Sequence, residues 1–104
     1  MTYVTDWVTF VFMIKNYRHK GLEIYASKGD KSKLPPAYIQ KIKMILTRLD
    51  AASNAEQLDQ PGYNFHSLKG DLKGFYSVKV SGNWRIIFRF EEADAIDVDF
   101  VDYH

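Results

Sequence analysis

Six residues in the second half of the chain have side chains suited to proton transfer and phosphate binding: His66, Lys69, Arg85, Asp102, Tyr103 and His104. Cleaving RNA without a metal needs a base for the ribose 2′-hydroxyl, cations for the charge that develops at phosphorus, and an acid for the leaving 5′-oxygen. Histidine suits the acid or base role because its unperturbed pKa is about 6.5. Arginine and lysine supply the cations, so the set predicts acid–base chemistry at a phosphodiester.

The two residues beside the terminal histidine have more than one use. Tyr103 can stack on a base or hydrogen-bond a phosphate, and Asp102 can orient a ring or accept a proton. The spacing of these residues leaves the choice open.

Two other kinds of site lack a motif. The three histidines stand without any cysteine, are not spaced i,i+4 on a helix and form no HExxH, so we expect no metal site. The glycines of LKGDLKG, residues 68–74, match neither GxxxxGK[ST] nor GxGxxG, and the segment is more simply a turn with two lysines. We therefore expect neither a metal nor a cofactor.

The terminal triplet needs an element that holds it in place, since chain ends fray unless they are tied down. Ile96, Val98 and Phe100 alternate with Asp97 and Asp99. This period of two predicts a half-buried strand over Ala95–Phe100, from which the triplet would emerge in an ordered position.

Helical patterns dominate the first half of the chain. Met13–His19 is expected to be a short strand, Leu22–Ser27 a short helix, and Pro35-Pro36 the start of a longer helix that ends near Ala52. Ser53–Glu56 fits a capping box that begins one more helical turn. The apolar positions of the longer helix are Tyr38, Ile42, Ile45, Leu46 and Leu49.

Strand patterns follow Pro61-Gly62. We expect a hairpin loop at Ser81-Gly82-Asn83, and strands over Tyr63–Leu68, Phe75–Val80, Trp84–Phe90 and Ala95–Phe100. Helices followed by strands predict an α+β domain whose antiparallel sheet packs against N-terminal helices.

The strand Trp84–Phe90 has two chemically different sides. Trp84, Ile86, Phe88 and Phe90 are expected to face the core, and Arg85, Ile87 and Arg89 the opposite side. Cross-strand ion pairing is the simplest role for Arg89, with Asp97 or Asp99 as its partner.

Composition predicts one globular domain. The chain has 104 residues, of which 46% are hydrophobic and 26% charged. The absence of cysteine excludes disulfides and agrees with a reducing compartment, so the cytoplasm is the default location. The apolar start MTYVTDWVTFVF lacks a basic region, contains Asp6 and is too short to span a bilayer, so neither a signal peptide nor a membrane helix is expected.

Charge is unevenly distributed. Met13–Arg48 holds nine Lys/Arg against two Asp/Glu, whereas Leu49–His104 holds five against ten. This suits a polyanion bound by one face, and equally suits internal ion pairs or simple solvation. His19 is interpreted as a surface residue. The candidate RNA-binding residues are Lys15, Arg18, Lys20, Lys41, Lys43, Arg48 and Lys73.

Four segments resemble the HigB toxins of the RelE/ParE superfamily of toxin–antitoxin modules. They are MIKNYRHKGLE at 13–23, LDAAS at 49–53, HSLKGDLKGFYSVKVSGNWRIIFRF at 66–90 and DFVDYH at 99–104. The resemblance implies a compact RelE-like fold and a ribosome-dependent endoribonuclease that cuts translated mRNA. It also implies a HigA-like helix-turn-helix antitoxin as partner, with operator DNA reached only through that antitoxin.

The resemblance also implies roles for the six residues. His66 and Lys69 match the HxLKG motif, Arg85 matches the arginine of NWRIxF, and the terminal triplet matches the chain end. It implies proton transfer by His104 and Asp102, phosphate binding by Arg85 and Lys69, and positioning by Tyr103 and His66. Which group is the base and which the acid stays open.

Two other functions fit the same superfamily. The main alternative is a non-enzymatic ParE-like toxin that binds a protein target such as gyrase, and an inactive relative that binds only antitoxin and operator DNA is a third. The matching pattern covers residues 13–104, which we take as the toxin domain. Residues 1–12 precede it, either because translation is assigned from an upstream start codon or because they extend the first strand.

Overall fold

The computed structural model describes residues 14–102, so the N-terminal extension, Met13, Tyr103 and His104 lie outside the described residues. The helices are α1, Lys20–Lys28, and α2, Ile39–Ala51. The strands are β1, His66–Ser67; β2, Tyr76–Ser81; β3, Trp84–Glu91; and β4, Asp94–Asp102. They form one sheet in the order β1-β2-β3-β4, with every neighbouring pair antiparallel. The predicted α+β class is confirmed.

Helix α1 begins two residues before its predicted start because His19 caps it. The backbone N–H of Leu22 donates to His19 Nδ1 at 3.2 Å. At the other end Gly29 takes a left-handed φ of 73° and its N–H donates to the Tyr25 carbonyl. His19 is half-buried and meets the ring of Phe100 edge-on at 5.6 Å between centroids, so its interpretation as a surface residue is wrong.

Helix α2 agrees closely with its predicted pattern. A 3-10 turn over Pro36–Tyr38 leads into it, and its buried residues are Ile42, Ile45, Leu46 and Leu49. The expected capping box after it is displaced by one residue. Asn54 accepts from the Gln57 N–H at 3.2 Å, and Gln57 accepts from the Ser53 N–H at 2.8 Å. Asn54 is therefore the N-cap, because the following 3-10 turn begins at Ala55, and Gln57 reaches back to the residue before the cap.

Two predicted strands are wrong in extent. Tyr63–Leu68 contracts to His66–Ser67, because Asn64 adopts a left-handed φ of 52° that interrupts extended backbone. Met13–His19 is no strand within its described part, where Tyr17 makes a single parallel bridge to Val98. The segment nevertheless lies along β4, since Lys15 N–H donates to the Ala95 carbonyl at 3.0 Å and Arg18 N–H to the Val98 carbonyl at 2.7 Å.

A bulge in β4 explains the irregular edge beside it. The register runs from Ile87↔Asp99 to Arg89↔Ile96, so Val98 and Asp97 both lie opposite Phe88. Asp97 has a φ of 52° there. The Asn16 amide occupies the bulge, donating to Asp97 Oδ1 at 2.8 Å and accepting from the Asp97 N–H at 3.0 Å.

The bulge also shifts the predicted alternation of β4. Val98 and Phe100 face the main core as expected, but Ala95 takes the inward position predicted for Ile96. Arg89 Nη2 lies 3.0 Å from Asp97 Oδ2, so the predicted ion pair is confirmed with Asp97 as the partner.

Asp97→Asn is expected to lower the free energy of unfolding at neutral pH. The hydrogen bond from Asn16, and then Arg89, hold the pKa of the Asp97 carboxyl below its usual range. A lowered folded-state pKa stabilises the fold above the unfolded value of about 3.9, and this contribution disappears as pH falls through the folded value. Urea unfolding across pH should show the two proteins converging in acid, because asparagine keeps the left-handed conformation and removes only the charge.

Asp94→Asn is the matched control for this prediction. Its carboxylate lies 3.9 Å from Lys15 Nζ with both side chains about half exposed or more, so its loss should change stability by less than about 0.5 kcal/mol. An Asp97→Asn deficit that stays constant down to strongly acidic pH would contradict the linkage.

The sheet has two unlike faces. The helix face, with Val78, Ile86, Phe88, Val98 and Phe100, packs against the helices in the main core. The opposite face is the loop face, where Leu68, Phe75 and Ile87 form a small second core with Leu72 and Val101. Among residues 14–102 no helix is long and apolar enough to cross a membrane.

Candidate active site

The loop face brings polar residues of different strands into two rows. Directly paired residues on neighbouring strands share a face, with Cβ atoms roughly 5 Å apart. The middle row follows the pairs His66↔Ser77, Ser77↔Ile87 and Ile87↔Asp99. The hairpin row, one step nearer the β2–β3 loop, follows Lys79↔Arg85 and Arg85↔Val101. His66 and Arg85 therefore occupy one face, in adjacent rows.

His66 stands exposed at the sheet edge with a defined ring orientation. Its Nδ1 lies 3.0 Å from the Asn64 carbonyl oxygen. A carbonyl can only accept, so Nδ1 carries the proton and Nε2 of the neutral ring has the free lone pair. The left-handed backbone of Asn64, φ 52°, places that carbonyl two residues before the ring it orients. His66 is thus arranged to accept a proton through Nε2.

Arg85 is held by the hairpin loop. The loop is tight because Gly82, with φ of 56°, occupies its first central position. Arg85 Nη1 donates to the Gly82 carbonyl at 2.7 Å and to the Trp84 carbonyl at 3.2 Å. A guanidinium held in this way is preorganised to meet an anion, because little reorientation remains to be done.

Lys69 lies at the other end of the loop face. It directly precedes the 3-10 turn Gly70–Leu72 and is exposed. Leu72 packs on the small core, so this turn covers part of the loop face. Lys69 follows His66 by three positions along the chain, roughly 10 Å of extended backbone. Lys69 and His66 are therefore close along the chain, at the edge of the sheet where β1 ends.

Asp102 is placed differently from these three residues. It pairs with Trp84, whose ring stacks on Phe100 at 4.7 Å between centroids on the helix face. The register therefore assigns exposed Asp102 to the helix face at the end of β4, whereas Arg85 lies on the loop face. Tyr103 and His104, which follow it, lie outside the described residues. The structure thus places His66 and Arg85 on one face of the sheet, two strands apart, and assigns Asp102 to the opposite face.

The candidate RNA-binding residues form no single stripe. Lys41 Nζ lies 4.8 Å and Arg48 Cζ 6.0 Å from the centroid of the Tyr63 ring, on the helix side of the sheet with exposed Lys43. Arg18 Cζ lies 5.7 Å from the Phe75 ring on the loop face. The remaining three lysines are exposed. Lys15 lies beside Asp94, Lys20 beside Glu23, and Lys73 directly after the 3-10 turn Gly70–Leu72.

Two polar residues that the sequence pattern did not assign to the site lie between His66 and Arg85. Ser77 is fully buried in the middle row, and Lys79 is half-buried in the hairpin row. The two-residue loop Gly82-Asn83 by itself predicts that Val80 faces Arg85, and only the bulge between Lys79 and Ser81 makes Lys79 the partner of Arg85. Within residues 14–102 no group of three or more His, Cys, Asp or Glu side chains is placed to hold a metal ion.

Comparison with known proteins identifies the family of the chain. The family described as the RelE-like toxin of the type II toxin–antitoxin system HigB matches residues 15–104. The chain is 39% identical over 92 residues to Endoribonuclease HigB of Proteus vulgaris, which covers 88% of this chain and 100% of that protein. It is 31% identical over 94 residues to Toxin HigB-1 of Vibrio cholerae serotype O1, which covers 88% of this chain and 98% of that toxin. The chain therefore belongs to the HigB-like toxins, the RelE-like toxins of type II toxin–antitoxin systems.

Proposed function

We propose that this toxin is a ribosome-dependent endoribonuclease that cleaves translated mRNA by proton transfer between its own side chains and the RNA. One observation carries the proposal: His66, with Nε2 free to accept a proton, shares the loop face with Arg85, whose guanidinium is held by two carbonyls. A base and a preorganised cation are the two parts that attack by a ribose 2′-oxygen requires.

The reaction proceeds by transfer within the RNA. The 2′-oxygen loses its proton to a base and bonds to phosphorus, the bond from phosphorus to the 5′-oxygen breaks, and an acid protonates that oxygen. Arg85 and Lys69 bind the phosphate. His104 and Asp102 take part in the proton transfers, and Tyr103 positions the RNA, as the family resemblance implies. The orientation of His66 adds a second imidazole able to exchange a proton.

The same proposal includes the limits of the toxin domain, its partners and its location. The domain spans residues 13–104, with residues 1–12 as an extension. The basic residues outside the site meet rRNA phosphates in a salt-sensitive manner that does not depend on sequence. The antitoxin is a HigA-like helix-turn-helix protein, operator DNA is bound only through it, and both proteins act in the cytoplasm.

The alternative function, a ParE-like toxin that binds a protein such as gyrase, has less support. The relative that covers most of the chain at 39% identity is named an endoribonuclease. A toxin that only binds a protein would also have no use for an oriented histidine on the same face of the sheet as a fixed arginine.

Primer extension on mRNA is the direct test of this function. Purified toxin is expected to produce cuts within the reading frame of mRNA on programmed ribosomes, and none on the same mRNA without ribosomes. Cuts in both samples would overturn the ribosome dependence. No cut in either sample, together with inhibition of gyrase supercoiling, would replace the proposal with the ParE-like alternative.

A further inference from the structure

Two cations stand side by side on the loop face. Lys79 and Arg85 are directly paired across β2 and β3, and both are half-buried. Like charges in directly opposite positions destabilise a sheet, and partial burial strengthens their repulsion. Such a pair is costly unless an anion offsets it.

Neither cation takes part in the ion pairs that Asp94, Glu23 and Asp97 form with Lys15, Lys20 and Arg89. Asp99, the carboxylate in the adjacent row, directs its Oδ1 to the Phe100 N–H at 2.9 Å. By contrast, the other arginine of β3, Arg89, is neutralised by Asp97 at 3.0 Å. The directly paired Lys79 and Arg85 therefore concentrate positive charge at the hairpin end of the loop face.

Polar atoms without partners concentrate at the same place. Four buried side-chain nitrogen or oxygen atoms of the described residues lack a hydrogen-bond partner, and two of them are Ser77 Oγ and Arg85 Nε. Ser77 is 0% exposed and directly opposite His66. Buried polar groups are normally paired, so atoms without partners next to two directly paired cations indicate a site that a ligand completes.

The backbone is also irregular at this point. The β2–β3 register shifts between Lys79 and Ser81, which places a bulge immediately beside the Lys79–Arg85 pair. Bulges alter the direction of neighbouring side chains and occur often next to active sites.

We infer that Lys79 and Arg85 together bind the phosphate at which the RNA is cut, and that Lys79 is a second phosphate-binding residue of this toxin. Lys79 lies between His66 on β1 and Arg85 on β3, one row from His66 and directly opposite Arg85. A phosphate held over the pair therefore presents its ribose side to His66 Nε2. The inference assigns the substrate contact within the proposed nuclease and so rests on that function.

Single-turnover cleavage of mRNA on programmed ribosomes tests the inference with Lys79→Gln, Lys79→Arg and the exposed control Lys31→Gln. Removing one preorganised charge from a developing phosphorane should slow cleavage by Lys79→Gln roughly 30- to 300-fold at saturating ribosomes. Lys79→Arg should keep most of the rate, and Lys31→Gln all of it. Lys79→Gln should melt at the same temperature as the parent or higher, because the repulsion with Arg85 is removed.

Cleavage by folded Lys79→Gln within threefold of the parent rate would overturn the inference, as would a lowered melting temperature with cleavage unchanged. Failure of the proposed function gives a different result, since the parent toxin would then cut no RNA. In that case, titration of inorganic phosphate by NMR decides whether the anion site exists. Saturable shifts of the residue 79 and 85 amides that Lys79→Gln abolishes support it, and their absence in the parent protein rejects it.

Discussion

His66→Gln is expected to slow mRNA cleavage on the ribosome by roughly 10²- to 10⁴-fold, the range typical of a group that transfers a proton in the transition state. Glutamine can still donate to the Asn64 carbonyl, which His66 Nδ1 meets at 3.0 Å, but it has no nitrogen that accepts a proton at neutral pH. Because residue 66 is exposed, folding should be unaffected. The cleavage rate is measured in single turnover, with far-ultraviolet circular dichroism as the check on folding.

Ser67→Ala is the matched control, since Ser67 is the next residue of β1, is equally exposed and pairs with Tyr76 rather than with the middle row. It should cleave at the parent rate. If His66→Gln also cleaves at that rate, His66 neither transfers a proton nor positions the RNA, and proton transfer belongs to the chain end. His104→Ala in the same assay completes the comparison, and a loss of several orders of magnitude is expected from the role that the family resemblance implies.

Phe88→Ala is expected to lower the free energy of unfolding by about 3–5 kcal/mol. Phe88 is 0% exposed, stacks with Tyr76 at 6.0 Å between ring centroids and meets Phe90 edge-on at 6.0 Å. It also lies opposite the β4 bulge, where Val98 and Asp97 share its position. Alanine would leave a cavity between the sheet and the helices, and the irregular backbone beside it has little freedom to close that space. Urea or guanidinium unfolding at neutral pH measures the change.

Met44→Ala provides the comparison for a large apolar residue outside the core. Met44 lies on the outer side of α2 and is 49% exposed, so its replacement should change stability by less than about 0.5 kcal/mol. Similar losses at both positions would mean that the main core is not centred where Phe88 meets the helices. A loss at Phe88 below about 1 kcal/mol would mean that the site collapses around alanine.

The elements with strong local signals follow from the sequence. Helix α2 has its apolar residues at helical spacing and prolines at its start, and the structure begins and ends it close to the predicted limits. The β2–β3 hairpin has alternating strands joined at a glycine, and its loop is where the pattern predicts it. In both cases the determinants are a few residues apart along the chain, so local chemistry is sufficient.

The errors occur where distant contacts override local pattern. The stretch Met13–His19 alternates like a strand, yet its described part is an irregular segment whose Asn16 fills a bulge 81 residues away at Asp97. The same bulge exchanges Ile96 for Ala95 in the main core. The sequence around Asn16 and Asp97 does not predict a bulge, because apolar and acidic residues alternate without interruption from Ile96 to Phe100.

The candidate site likewise combines residues that the sequence identifies with placements that only the structure shows. Residue types and motif matches identify His66, Lys69 and Arg85 as chemically competent, and the resemblance adds the terminal triplet. Residue type does not show that Asp102 belongs to the helix face by its pairing with Trp84, while Arg85 lies on the loop face. Nor does it distinguish Lys79 from the other lysines, because its importance comes from facing Arg85 across the sheet.

The sequence by itself therefore determined the class of fold, the family and the kinds of group available for catalysis, since composition, periodicity and motifs are local properties of a chain. Only the tertiary structure decided which groups meet. Strand register places His66, Ser77, Lys79 and Arg85 in neighbouring rows, and the Asn64 carbonyl selects the nitrogen of His66 that is free. The physical reason is that a one-residue change of register moves a side chain to the other face of the sheet, and register depends on pairings that the separate strands do not encode alone.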